Sequence, residues 1–298
     1  MRVTEGRIAY DFLLAVNKAR ENIVNLQGQL ASGKRIQKVS DDPAASDTIM
    51  RLQAALDRNE QYQSNVSDAQ GYVDSTSGAL DTVNSLMARV QEIIVQSQNG
   101  GQTDAIVAYG NEVDQILNEA VSTANMQFNG KSIFGGTQTT TTPYQLVTNP
   151  GPPPTSTVTY QGNGGTVTYA VGDGATQQVS VSGAEAFGGT GIFDVLIRVR
   201  DSLLAGTVPS AADQAAVKAA TDQINKVASK MGSYSQSLGT TVTHLEDQRT
   251  QLQNLMSSVR DTDVAEATLD LKQQELMLDA ALNTGAQILP KSLLDFLK

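Results

Sequence analysis

Apolar residues recur at alternating steps of three and four along the first helix-length of chain: Ala9, Phe12, Val16, Ala19, Ile23, Leu26 and Leu30. A period near 3.5 keeps one stripe on one side of a helix, which is the pattern of a coiled-coil seam. Gly33 stands where a left-handed C-terminal cap is expected, and Ile36 is placed to fold back on the last turn. Lys34, Arg35 and Lys38 suit the negative pole of that helix. Ser40-Asp41-Asp42-Pro43 then predicts a new start, with Asp42 as N-cap and Pro43 as first helical residue.

The second seam runs through Ile49, Leu52, Leu56, Gln63, Val66, Val73, Leu80, Val83, Met87, Val90 and Ile94. At about 1.5 Å per residue this is a rod on the order of 70 Å long. Gly71 and Gly78 are its weak points and candidate bends, and Asn99-Gly100-Gly101 ends it. A third helix carries Ile106, Tyr109, Val113, Ile116, Ala120 and Ala124 on one face. From Gly130 the period changes to two. Segments 157–160, 166–171 and 178–182 alternate, separated by Gly-rich turns, which predicts a β-meander with one poorly covered face. Helical spacing returns at Phe193, Leu196, Val199 and Leu203, and again from Ala211 to Met231.

The last segment carries Leu238, Val242, Leu245, Leu252, Met256 and Val259, then Val264, Ala267, Leu271, Leu278, Ala281 and Ile288. Leu269 and Leu276 draw a second apolar line beside the first. A helix with two apolar lines has to bury both, and a lone two-helix hairpin leaves one bare. Packing between subunits answers this; a multihelix bundle within one chain is the alternative. The expected fold is mainly α with a small β insert, the N- and C-terminal helices pairing in a long antiparallel rod.

Composition narrows the chemistry. Proline is absent from 1–42, 44–142 and 210–289, where helices can run unbroken. Of 25 glycines, 13 lie between Gly130 and Gly191, and Asp173 is the one charge between Ser132 and Ala184, so a different kind of module is inserted there. The formal charge of −10 argues against wrapping nucleic acid or an anionic membrane. With no cysteine, disulfides and thiolate metal sites are excluded, and the single histidine, His244, makes no His-rich metal site. No apolar run is long enough to span a bilayer, and the N-terminus lacks a signal-peptide core.

Gly130-Lys131-Ser132 lacks the glycine a phosphate loop needs five residues earlier, where Asn125 stands. Gly188-Gly189-Thr190-Gly191 reads as a loop. Asp41-Asp42 and Asp261/Asp263 are explained by capping and local pairing without a metal. Asp173 has no acidic neighbour for two-carboxylate glycan hydrolysis. No catalytic, cofactor or metal residue is assigned.

Leu30-Ala31-Ser32-Gly33-Lys34-Arg35-Ile36 with Ser40-Asp41-Asp42-Pro43-Ala44-Ala45 resembles the N-terminal signature of the flagellin superfamily. The Asp-Asp-Pro form is more similar to its hook-associated junction proteins than to flagellins, which usually carry an alanine-rich version. Asn129-Gly130-Lys131-Ser132-Ile133-Phe134-Gly135-Gly136-Thr137 resembles that group's turn out of the third helix. Leu289 to Leu297 is similar to its terminus, Lys291 being a slight departure.

The resemblance covers roughly 1–136 and 230–298. It implies a structural, non-enzymatic subunit of the bacterial flagellum, forming a homo-oligomeric tubular layer between hook and filament. Its partners would be another hook-associated protein on the hook side, flagellin on the filament side and a cytoplasmic export chaperone. The chain would leave the cell by the flagellar type III route without signal cleavage. It also implies a division into a tube-lining part (1–40 and 260–298), a helical rod (41–130 and 205–259) and a β-rich outer insert (131–204). Phe12, Val16, Ile23, Leu26 and Leu30 from the first helix are the expected assembly contacts. Leu269, Leu271, Leu276, Leu278, Ile288, Leu293, Leu294 and Phe296 complete them from the last. Both ends are expected to become ordered as neighbouring subunits bury their seams. A flagellin filament subunit and a non-flagellar coiled-coil adaptor are the rival readings.

Overall fold

The computed structural model describes residues 2–99, 103–149 and 155–294; for 2–6, 8–9, 149 and 286–294 it gives the backbone path alone. The chain divides into two compact units, one of residues 1–58 and 248–298 and the other of residues 59–247. Two long helices, α2 (Pro43–Gln98) and α6 (Ala211–Arg260), each contribute to both.

In the unit of 59–247, α2 and α6 are joined by α3 (Thr103–Ala124) and α5 (Gly191–Leu204), with the short α4 (Gly183–Phe187) before α5. The expected α3 face is buried at Ile106, Val113, Ile116, Ala120 and Ala124, and it packs on α5. Gly110 lets the two approach: a Cβ there would lie 2.9 Å from the Leu204 backbone nitrogen. The continuous apolar core, from Val66 and Leu80 on α2 to Leu238 and Leu245 on α6, lies in this unit.

Neither Gly71 nor Gly78 breaks α2. Gly71 instead admits the Phe128 ring, whose Cζ would lie 2.9 Å from an added Cβ, while open space surrounds Gly78 and nothing in the structure accounts for it. Phe128 meets the neighbouring Tyr72 edge-on at 6.0 Å between centroids.

The β segments differ from the expected meander. They form three separate two-stranded hairpins: β1 (Gln127–Phe128) with β2 (Lys131–Ser132), β3 (Tyr144–Asn149) with β4 (Thr155–Tyr160), and β5 (Thr168–Gly172) with β6 (Ala175–Gln178). Strand β4 pairs backwards onto β3, Tyr144 opposite Tyr160, rather than forwards onto β5. Segment 179–182 is not strand; it runs inward, with Val179 and Val181 fully buried. The first hairpin turns at Asn129 (φ 50°) and Gly130 (φ 74°), the two consecutive left-handed residues of a type I′ turn.

Although aromatics are only 5% of the chain, five of them gather beside these hairpins. Phe134, Phe187 and Phe193 are completely buried and Tyr144 nearly so. Phe134 meets Phe187 at 4.8 Å, and Tyr144 meets Tyr160 at 4.9 Å and Phe193 at 4.8 Å. The sequence reading missed this cluster, because its members are spread over sixty residues with no shared period.

The Phe134-Gly135-Gly136 turn is its hub. The Phe134 carbonyl accepts from Gly183 N (2.8 Å) and from the Tyr160 hydroxyl (2.9 Å). Asn163 N donates to Gly135 O (3.1 Å), and the Tyr72 hydroxyl donates to Ile133 O (2.7 Å). Burial pushes the hydroxyl pKa values of Tyr72 and Tyr144 far above the ordinary phenol range, so both are present as O–H. Arg200, on α5, is buried and donates to Asp114 on α3 (3.0 Å), Asp201 (2.6 Å) and Ser156 on β4 (2.9 Å). One guanidinium therefore ties three elements together.

Candidate assembly interface

In the unit of 1–58 and 248–298, α1 (Arg2–Ser32) lies beside α7 (Val264–Leu294). They are antiparallel: Gly33 O accepts from Thr262 N (3.0 Å) at one end, and further along the Phe12 ring lies against Gly285. A Cβ on Gly285 would come within 2.4 Å of Phe12 Cζ, so the ring needs a glycine opposite.

The sequence treats 238–288 as one patterned segment, whereas the structure breaks it at Asp261–Asp263. The cause is the loop after α1. Gly33 takes φ +68° as expected for its cap and turns the chain back. Arg35 N then donates to Arg260 O (2.8 Å), its guanidinium reaches Val259 O (2.9 Å), and Lys34 pairs with Asp261 as an antiparallel bridge. These bonds take the last carbonyls of α6 and stop the helix. Ile36 is buried beneath the loop.

The four carboxylates considered for metal binding are engaged locally. Asp42 accepts from Ala45 N (3.0 Å) and caps α2, while Asp263 accepts from Ala265 N (2.9 Å) and Glu266 N (3.2 Å) and caps α7. Asp41 accepts from the amides of Lys38 (2.8 Å) and Gln37 (3.0 Å), and Asp261 from the Ser257 hydroxyl (2.6 Å) and Arg260 (3.0 Å). His244 is exposed on α6. Replacing Asp42 by Ala should cost about 1 kcal/mol, read as a lower urea midpoint at unchanged m.

Two of these groups predict a pH response. The Lys38 and then the Gln37 amide hold the Asp41 carboxyl below its ordinary value of 3.8, and the Ser257 hydroxyl followed by Arg260 does the same for Asp261. A pKa lowered by folding means the unfolded chain binds the proton more readily. Their stabilisation is therefore present above the ordinary carboxylate range and is lost as pH falls through the lowered values. Protection of the Gln37 and Lys38 amides, corrected for intrinsic exchange, should be constant from neutral pH down to about pH 4 and collapse below it.

The residues expected to make assembly contacts fall into three groups. Val16 is buried, and Phe12, Ile23, Leu26, Leu30, Leu271 and Leu278 are half-buried on the helices that pair within the chain. Leu269 and Leu276, the second apolar line, are 71% exposed. Ile288, Leu293 and Leu294 lie on the last turns of α7, where only the backbone path is described, and Phe296 lies outside the described residues. Sequence reasoning missed further bare apolar side chains on α1, Tyr10, Leu13, Leu14 and Val24, because they lie off its seam. Beside α1 the first line of α7 is buried at Ala267 and half-buried at Leu271, Leu278 and Ala281, with Val264 exposed, whereas the described members of the second line are bare.

Known proteins resemble this chain at both of its helical ends. The bacterial flagellin N-terminal helical region matches residues 8–139, and the bacterial flagellin C-terminal helical region matches residues 214–297. Flagellin of Bacillus subtilis (strain 168) is 26% identical over 320 aligned positions, covering 100% of both chains. Among solved structures, a putative flagellar hook-associated protein from Vibrio parahaemolyticus aligns with a TM-score of 0.63 at 21% identity, over 74% of this chain and 100% of that one. FlgL of Bacillus cereus aligns at 0.50 and 22% identity, over 72% of this chain and 99% of that one. With both terminal helical regions matched in order and their fold shared, the chain belongs to the flagellin superfamily and is a structural protein of the bacterial flagellum.

Proposed function

We propose that this chain is the subunit of the hook–filament junction, built into a short tubular layer through its terminal helices. The observation that carries it is the uneven burial of α7. Ala267, Leu271, Leu278 and Ala281 on one apolar line are buried or half-buried beside α1, while Leu269 and Leu276 on the other stay bare. The buried apolar residues of the unit of 1–58 and 248–298 are few, Val16, Ile36, Met256 and Ala267 among those described, and none of the four is completely buried. Helices with so little core draw most of their stability from packing, and the packing missing here is another copy. Amide exchange should be fast along α1 and α7 in the dilute chain and slow once it is assembled.

In this reading residues 1–40 and 260–298 line the tube, 41–130 and 205–259 form the rod, and 131–204 is the outward insert. A hook-associated protein lies on the hook side and flagellin on the filament side. The chain passes unfolded through the type III channel, guarded beforehand by a cytoplasmic chaperone, and works outside the cell. The Asp41-Asp42-Pro43 form favours the junction over the filament.

A second reading, the filament subunit itself, is favoured by the end-to-end alignment with Bacillus subtilis flagellin. Immunogold labelling of intact flagella separates the two. A narrow band where hook meets filament supports the junction, and label along the whole filament replaces it with flagellin. Deleting the gene gives an independent readout: loss of the junction subunit leaves hooks and releases flagellin into the medium.

A further inference from the structure

A cleft lies between the 33–42 loop, the start of α2 and the end of α6, entirely within the unit of 1–58 and 248–298. Three cations line it, Lys34, Lys38 and Arg260, in a chain whose net charge is −10. Arg260 is held by Asp261 (3.0 Å), whereas Lys34 and Lys38 form no salt bridge among the described residues. Val39 and Met50, two more lining residues, are bare apolar side chains, 60% and 58% exposed. Ser46 completes the wall; it is 6% exposed and its hydroxyl has no hydrogen-bond partner. Asp261 attracts Lys34 and Asp41 attracts Lys38 without forming a salt bridge with either, so each ammonium can take a further carboxylate, and exposed apolar contact flanked by them suits an occupant that is apolar and carries carboxylates.

The same unit displays such a surface on another element. Near the start of α7, Leu269 stands out with Glu266 and Asp270 one turn or less away, both exposed and in no salt bridge among the described residues. We infer that this face of α7 docks into the Lys34–Lys38 cleft of a second copy, head to tail. Leu269 meets Val39 and Met50, and Glu266 and Asp270 meet the two lysines. Such a heterologous contact does not close on a pair of copies and so propagates into a ring or helical array. The inference rests on the tubular assembly proposed above and adds the contact by which neighbours recognise one another.

Because the chain has no cysteine, cross-linking has no background. Val39→Cys with Leu269→Cys, expressed in place of the native chain, should give an intermolecular disulfide ladder in purified flagella after mild oxidation. Each single variant should give no ladder. In parallel, Lys34→Glu with Lys38→Glu should lower the amount incorporated at least about tenfold, through like-charge contact. Adding Glu266→Lys and Asp270→Lys to that variant should restore it. Incorporation of the cysteine pair without a ladder, dimers from Val39→Cys alone, or no recovery in the fourfold variant would overturn the docking while leaving the flagellar reading intact. Absence of the native chain from purified flagella would overturn the flagellar reading itself, and the docking with it.

Discussion

Replacing Leu269 and Leu276 together by Gln should nearly abolish incorporation into flagella and leave the isolated chain as stable as before. Both side chains are 71% exposed in the single chain, and Gln forms helix about as well as Leu. Surface changes of this kind usually shift stability by no more than about 0.5 kcal/mol. In the layer proposed above the same side chains would be covered, and fully burying a leucine is worth about 1.5–3 kcal/mol. Losing two such terms lowers the association constant by roughly 10²- to 10⁴-fold, before counting the cost of drying two amides. Circular dichroism and urea unfolding of the purified chain check the first half. Quantitative blotting of sheared flagella against secreted protein checks the second. Normal incorporation would show that this line of α7 is not an assembly surface.

Phe134→Ala should produce the largest loss of stability, with assembly failing as a consequence. The ring is completely buried against Phe187, and removing a buried phenylalanine side chain costs about 3–5 kcal/mol. The site has little room to collapse, because the adjoining backbone is fixed from several directions. Its carbonyl accepts from Gly183 and Tyr160, and Gly136, at φ +68°, lies so close to Asn163 that a Cβ would fall 2.2 Å from the Asn163 carbonyl oxygen. Urea unfolding followed by circular dichroism should show a lower midpoint. A midpoint shift worth less than about 1 kcal/mol would mean that the Phe-Gly-Gly turn is not the hub of the insert. The two variants should thus fail for opposite reasons, Leu269/Leu276 with an intact fold and Phe134 through loss of it.

The contrast follows from where burial occurs. In the unit of 59–247 the apolar seams of α2 and α6 find partners within the chain, down to zero exposure at Val66, Leu80, Val217 and Ile224. In the unit of 1–58 and 248–298 the seams are equally regular, yet most of their residues stay half-buried or exposed. For the tubular subunit proposed above this division is an advantage, because one region buries its apolar seams within the chain and the other keeps apolar surface for neighbours.

The sequence by itself determined the helices, their faces and most of their ends. A period of three and four marks which side is apolar, and capping is local chemistry: Gly33 turned the chain, and Asp42 with Pro43 began α2 as their residue types require. It also determined that the last helix carries two apolar lines. Only the tertiary structure decided what each line meets, since nothing in α7 states that α1 covers Leu271 and leaves Leu269 bare. It alone decided strand pairing, because alternation reports which face is apolar but not which neighbour a strand takes; β4 chose β3 over β5. Gly71, which looks like a weak point along the chain, became a packing site once Phe128 arrived from outside the helix. The break at Asp261–Asp263 is of the same kind: the loop that ends α6 comes from the other end of the polypeptide, and hydrogen bonds between such distant residues leave no periodic trace in either segment.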